Sequence, residues 1–207
     1  MAHNKRTHYG FCKVTGTTLC VENHLIEIAK SANTIVPTLV EVEKDIIHAE
    51  KHNGKFNEYI EYAMKQIATR LPTHHYSNRF FNQNNIDQTE LIHLFKENHN
   101  AMMFYYNSIN DILESNSLFR HEITRLLRMI RPILKDDVIC NYQLVLRIYS
   151  NNQVLFSLNS QDPFKEISLS TAQSTIDNVY SLIILRELKH WMNRTENLLK
   201  TLKWKLF

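Results

Sequence analysis

Leu185-Arg-Glu-Leu-Lys-His-Trp191-Met-Asn-Arg194-Thr195 sits inside a run, Ser170 to Phe207, that keeps one helical period throughout. Leu185, Leu188, Met192, Thr195, Leu199 and Leu202 recur at intervals of three and four, the pattern of a buried seam on an amphipathic helix. Glu187, Trp191, Arg194 and Leu198 then fall on an adjacent stripe. Trp and Arg are the residue types most enriched at binding hot spots. The stripe is therefore expected to form a contact surface, against the plainer reading of Trp191 as a core-edge aromatic.

Upstream, three further long helices are expected. In the first, over about 20–53, Leu25, Ile28, Ala32, Ile35, Leu39, Val42, Ile46 and Ala49 alternate spacings of three and four. Pro37 predicts a kink there without loss of the helix, and Asn53-Gly54 its end. The second, about 87–115, opens at Asp87 with Glu90 as a capping-box partner and carries Leu91, Leu94, Phe95, Met102, Tyr105, Ile109 and Ile112. The third, about 117–150, runs through Phe119, Ile123, Leu126, Ile130, Leu134, Val138, Tyr142, Val145 and Ile148, with a kink at Pro132. The fourth spans about 170–204, with Ser170 and Gln173 as its capping box.

Residues 54–86 read as a long connection with a short helix near Tyr59 to Arg70, and 150–169 as loop. A link of two or three residues forces helices two and three antiparallel, whereas connections of about 33 and 20 residues can run the length of a bundle. The expected fold is all-α: a single-domain, long-chain four-helix bundle, up-up-down-down, with two long crossover loops.

Composition narrows the function. The 207 residues are 43% hydrophobic, with 3 Gly and 4 Pro, enough for one core and too few turns for a β architecture. The net charge of +3 is spread among 21 acidic residues without a basic stripe, so no nucleic-acid partner is expected. No apolar run is long enough to span a membrane, and the basic start, Met1 to His8, has no apolar segment behind it to make a cleavable signal. Release by another route, or a signal removed before residue 1, is expected. Cys12, Cys20 and Cys140 cannot all pair within one chain. Cys12 and Cys20 could close a small loop, with Cys140 a buried helix residue.

Glu90/His93 and Glu187/His190 have the Glu-x-x-His spacing of di-iron bundles, but both histidines lie roughly 150° from the centres of their apolar seams. They are expected to face solvent. His48 and His52 share a face without further ligands, and His74-His75 falls in a loop. No nucleophile elbow or phosphate-binding loop occurs, so no enzyme, cofactor, metal or small-molecule substrate is expected. Asn193-Arg-Thr195 is a glycosylation sequon placed on a helix.

The fourth helix resembles that of the ciliary neurotrophic factor and cardiotrophin-like group of interleukin-6-type cytokines, whose last helix carries a Leu-x-Glu/Asp-Leu-like run leading to Trp-x-x-Arg-Ser/Thr. Here these residues are Leu185, Glu187, Leu188, Trp191, Arg194 and Thr195. The stretch Glu90 to Tyr106, closing at Leu113-Glu114, is similar to that group's second helix. The resemblance implies an extracellular ligand that brings receptor ectodomains together, a specificity receptor and a shared signalling chain, and so starts kinase and transcription-factor signalling. It implies that the end of the last helix and the first long loop meet the specificity receptor. Thr175 and Asn178 stand where relatives that recruit the leukaemia-inhibitory-factor receptor carry Phe-x-x-Lys, which sets that surface apart. The alternative reading is an intracellular helical interaction module without enzymatic activity.

Overall fold

Seams of Ile, Leu and aromatic residues at three- and four-residue spacing dictate the architecture. The computed structural model describes residue 12 and residues 20–83, 86–114, 121–150 and 169–206, and every regular element within them is helical. Helix α1, Val21–Ala49, buries Ile28, Ala32, Ile35, Leu39, Val42 and Ile46, and continues through Pro37. It stops four residues short of the expected Asn53. Glu50 leaves helical geometry there (φ −96°, ψ 8°), and an Asn53 turn leads onward, its backbone N–H donating to the Glu50 carbonyl at 2.8 Å.

Helix α2, Phe56–Ile67, and helix α3, His75–Asn82, lie in the long connection that passes from α1 over to α4. Helix α4, Gln88–Glu114, buries every seam residue expected of it. The Asp87 carboxylate accepts from the Glu90 backbone N–H at 2.7 Å, as a cap should, but the Glu90 side chain does not return to complete a box. It pairs instead with Arg79 at 2.8 Å.

The third stretch divides into helix α5, His121–Pro132, a π-helical segment, Ile133–Ile139, and helix α6, Cys140–Ser150. The spacing of its core explains the π segment. Ile130, Leu134, Val138 and Tyr142 are all buried at intervals of four. In a regular α-helix each such step rotates by roughly 40° off the seam. A wider i→i+5 turn reverses that drift and keeps the four side chains on one face. Ile148, expected in the seam, is exposed, and Tyr149 packs on the core in its place.

Helix α7, Gln173–Leu206, starts three residues later than the expected Ser170. Ala172 holds the capping position, and its carbonyl accepts from the backbone N–H groups of Thr175 and Ile176. Side-chain pairs set the directions. From α1 to α7 they are Asn33 with Glu196, Glu43 with Arg186, and Glu50 with Asn178, so the two helices are antiparallel. Gln88 with Tyr149, Phe95 with Tyr142 and Arg131 over Tyr106 make α4 antiparallel to the third stretch. Asn98 with Thr195 pairs α4 with α7, and His24 with Asn141 pairs α1 with α6.

The cysteines differ from expectation. Cys12 is bonded to Cys140, with Cα atoms 5.5 Å apart, and Cys20 is the exposed free thiol just before α1. The physical reason is a long-range contact: His24 Nδ1 meets Asn141 Oδ1 at 2.6 Å, which carries the start of α1 to the start of α6.

Candidate functional site

A carboxylate on α4 builds the site. Helix N-termini leave backbone N–H groups without intrahelical partners. At the start of α3 the Glu97 carboxylate accepts from Tyr76 N–H at 2.8 Å, Ser77 N–H at 2.9 Å and the Ser77 hydroxyl at 3.0 Å. With the Arg79–Glu90 pair and buried Phe80, these bonds fasten α3 to α4. The free edge of the crossover then lies on α7.

There, the His74 ring stacks on Trp191 with centroids 3.8 Å apart and planes at 28°, and the His190 ring meets His74 edge-on at 5.2 Å. Arg194 donates to the Asn78 side-chain oxygen, and its guanidinium lies 5.2 Å over the Phe81 ring, a cation–π distance. Phe81, His190, Asn193, Arg194, Asn197 and Lys200 line an open concavity of about 600 Å³ beside this contact. Residues from the first crossover and the end of the last helix thus share one surface.

The expected contact stripe is split by this packing. Trp191 is 1% exposed and Leu198 0%, while Glu187 and Arg194 are half-buried. A surface made of all four side chains is therefore corrected: Trp191 supports the surface from beneath, and Arg194 reaches it. The cause is the crossover, since α2 and the α3 edge cover a side of α7 that a simple bundle seam leaves open. Behind Trp191, its indole N–H and the Tyr105 hydroxyl approach each other without reaching hydrogen-bond geometry. Burial, then the nearby Glu187 charge, pushes the Tyr105 hydroxyl far up, so it stays protonated.

The opposite flank of α7 is a salt-bridged interface with α1. Arg186 Nε donates to Glu43 at 2.8 Å, and Lys189 donates to the other Glu43 oxygen. Burial alone raises the Glu43 carboxyl, but the hydrogen bonds and charges of Lys189 and Arg186 outweigh it and hold its pKa below the ordinary value. Thr175 and Asn178, at the Phe-x-x-Lys positions, are both turned to Glu50, with Asn178 donating at 2.6 Å. They dock the start of α7 on the end of α1.

His93 and His190 are exposed, as their angular positions predict, with His93 stacked on Tyr76 at 4.9 Å. Among the described residues no three His, Cys, Asp or Glu side chains converge. In the sequon, Asn193 is exposed, but Thr195 is buried and its hydroxyl donates to Asn98, so the folded helix withholds the motif. Sequence reasoning missed His74, Asn78 and Phe81. Tyr76, Ser77 and Phe80 carry a short helical period in that stretch, but nothing local announces that its edge reaches α7. The chain matches no protein-family model, no curated protein and no solved structure.

Proposed function

We propose that this chain is an extracellular ligand of the interleukin-6 type, which acts by bringing cell-surface receptor chains together. The observation that carries the reading is the joint surface of Arg194, His190, Asn78 and Phe81, in which the first crossover and the end of the last helix meet. The sequence resemblance assigns contact with a specificity receptor to those same two segments. Helix directions support an up-up-down-down bundle with two long crossovers, since α1 is antiparallel to α7, and α4 is too, with Asn98 at Thr195 and Tyr105 near Glu187. A disulfide between Cys12 and Cys140 suits an oxidising, extracellular setting. Among the described residues no helix is long and apolar enough to cross a membrane. The work of this surface is binding, and no reaction is assigned to it.

Binding of the full chain to a panel of interleukin-6-type receptor ectodomains tests the reading. Arg194→Ala is expected to keep the helical spectrum and weaken the specificity-receptor complex by about 2 kcal/mol, close to thirtyfold. Arg128→Ala, at an exposed position of α5, a helix that packs on α1 and α4, is the control and should bind normally. Absence of binding to every ectodomain, or equal affinity of the two variants, overturns the assignment and returns the chain to the class of helical interaction modules.

A further inference from the structure

The joint surface holds a side chain whose environment is matched to one protonation state. His74 lies at the N-cap position of α3, its ring flat on Trp191, and both ring nitrogens are out of solvent with no hydrogen-bond partner. Buried polar atoms are nearly always partnered, because an orphan forfeits its hydration without replacement. Here two orphans occur on one imidazole, at the seam that joins the crossover to the last helix. A neutral ring tolerates this place through stacking. An imidazolium, which needs acceptors for two N–H groups, does not.

Every charge acting on the ring disfavours protonation. From α7, Arg194 and His190 face it, and the charge of each acts to lower its pKa. From α4, the Glu97 carboxylate is taken up by Tyr76 and Ser77, and His93 is stacked on Tyr76. Within α3, His75 follows it and Arg79 is paired with Glu90. Among the described residues no carboxylate bonds the His74 ring.

We infer that His74 is a proton-operated latch: uptake of a proton expels its ring from Trp191, lifts the Leu71–Asn82 crossover from α7 and takes apart the surface proposed above to bind a receptor. This regulation rests on that reading for its biological purpose, whereas the latch itself is a property of the isolated chain. Burial first, then Arg194 and His190, lower the His74 pKa from the ordinary 6.5 to about 4 in the closed form. With the crossover lifted, the ring regains its ordinary value. Closed-form stability from neutral His74 is therefore complete above about pH 6.5, falls by up to about tenfold per pH unit below it, and is exhausted near pH 4. A ligand taken into an acidifying compartment would lose its grip in that window.

Fluorescence and hydrogen exchange on the full chain test the latch. In a Trp204→Phe background Trp191 reports alone, and acidification from pH 7 to 5 is expected to change its emission while far-UV circular dichroism stays constant. Over the same range, exchange of the α3 amides, corrected for intrinsic pH dependence, should speed up at least tenfold relative to α1. His74→Phe keeps an aromatic face for the stack and cannot be protonated. It should abolish both changes, and His74→Gln serves if the Phe variant fails to fold. Identical acid transitions in wild type and His74 variant, or none in wild type before global unfolding, overturn the latch. Receptor affinity is measured in parallel: a loss at pH 5 that His74→Phe removes supports the regulatory role. If no receptor binds at any pH, the proposed function fails, while fluorescence and exchange still decide the latch.

Discussion

The two flanks of α7 are held in opposite ways. On the α1 side, Glu43 meets Arg186 and Lys189, Glu50 meets Thr175 and Asn178, and Asn33 turned toward Glu196 meets both carboxylate oxygens. On the crossover side, His74 stacks on Trp191 with both nitrogens orphaned, and Arg194 Nε is also without a partner. The first flank has its polar groups answered, which fixes helix register. The second trades satisfied bonds for stacking. A surface that must hold in one state and yield in another is more readily built the second way.

Trp191→Ala removes the floor of the crossover contact and a fully buried side chain at once. It should cost about 3–5 kcal/mol in thermal or denaturant unfolding. A loss below about 1 kcal/mol would mean that the crossover is merely laid on α7.

Next comes the paired flank. Glu43→Gln leaves Arg186 and Lys189 without their anion, and a loss of about 1 kcal/mol at pH 7 is expected, given partial exposure of all three groups. Because the folded carboxyl titrates below its ordinary value, this contribution is present above about pH 4.5 and fades as pH falls through the lowered folded value. The gap between wild type and variant should therefore close in strong acid, whereas the His74 effect is already spent by pH 4. Two different pH windows for two flanks of one helix would be the clearest support for the contrast.

Asn78→Ala deletes only the acceptor for Arg194, at an exposed position. Global stability should change by no more than about 0.5 kcal/mol, yet α3 amide exchange should quicken. The smallest effect belongs to Lys200→Ala, whose pair with Glu196 is a surface i,i+4 contact. A change of about 0.3 kcal/mol is expected in unfolding experiments.

The seams of α1, α4 and α7 were legible because three- and four-residue recurrence is a local property, and Ile28 to Ile46, Leu91 to Ile112 and Leu185 to Leu202 are buried where periodicity put them. Phe56, Ile60, Ala63 and Ile67 carried the same signal for α2, at spacings of four, three and four, and the short helix expected near Tyr59 to Arg70 forms three residues earlier, whereas the Asn- and His-rich residues after it favoured a loop where α3 forms. Burial of Trp191 was open in the sequence only as the core-edge reading, because it depends on His74, distant in sequence, folding back onto α7. The π segment was visible only as a Pro132 kink, although the repeated four-residue spacing after Ile130 contained its cause. The choice of Cys140 as partner of Cys12 was equally non-local, since it follows from the meeting of α1 with α6.

That bridge makes the molecule a ring with a tail. Residues 12 to 140, a separation of 128, form one covalent loop containing α1 through the π segment, and α6 and α7 lie outside it. Helix α7, which carries half of the proposed binding surface, is joined to the ring only through the backbone of residues 141–172. A protease cut between Ser150 and Leu169 would thus leave two pieces held by packing alone, the ring with α6 and a detached α7. Mixing ring and tail should rebuild the complex, so the last helix is in effect the chain's own first ligand.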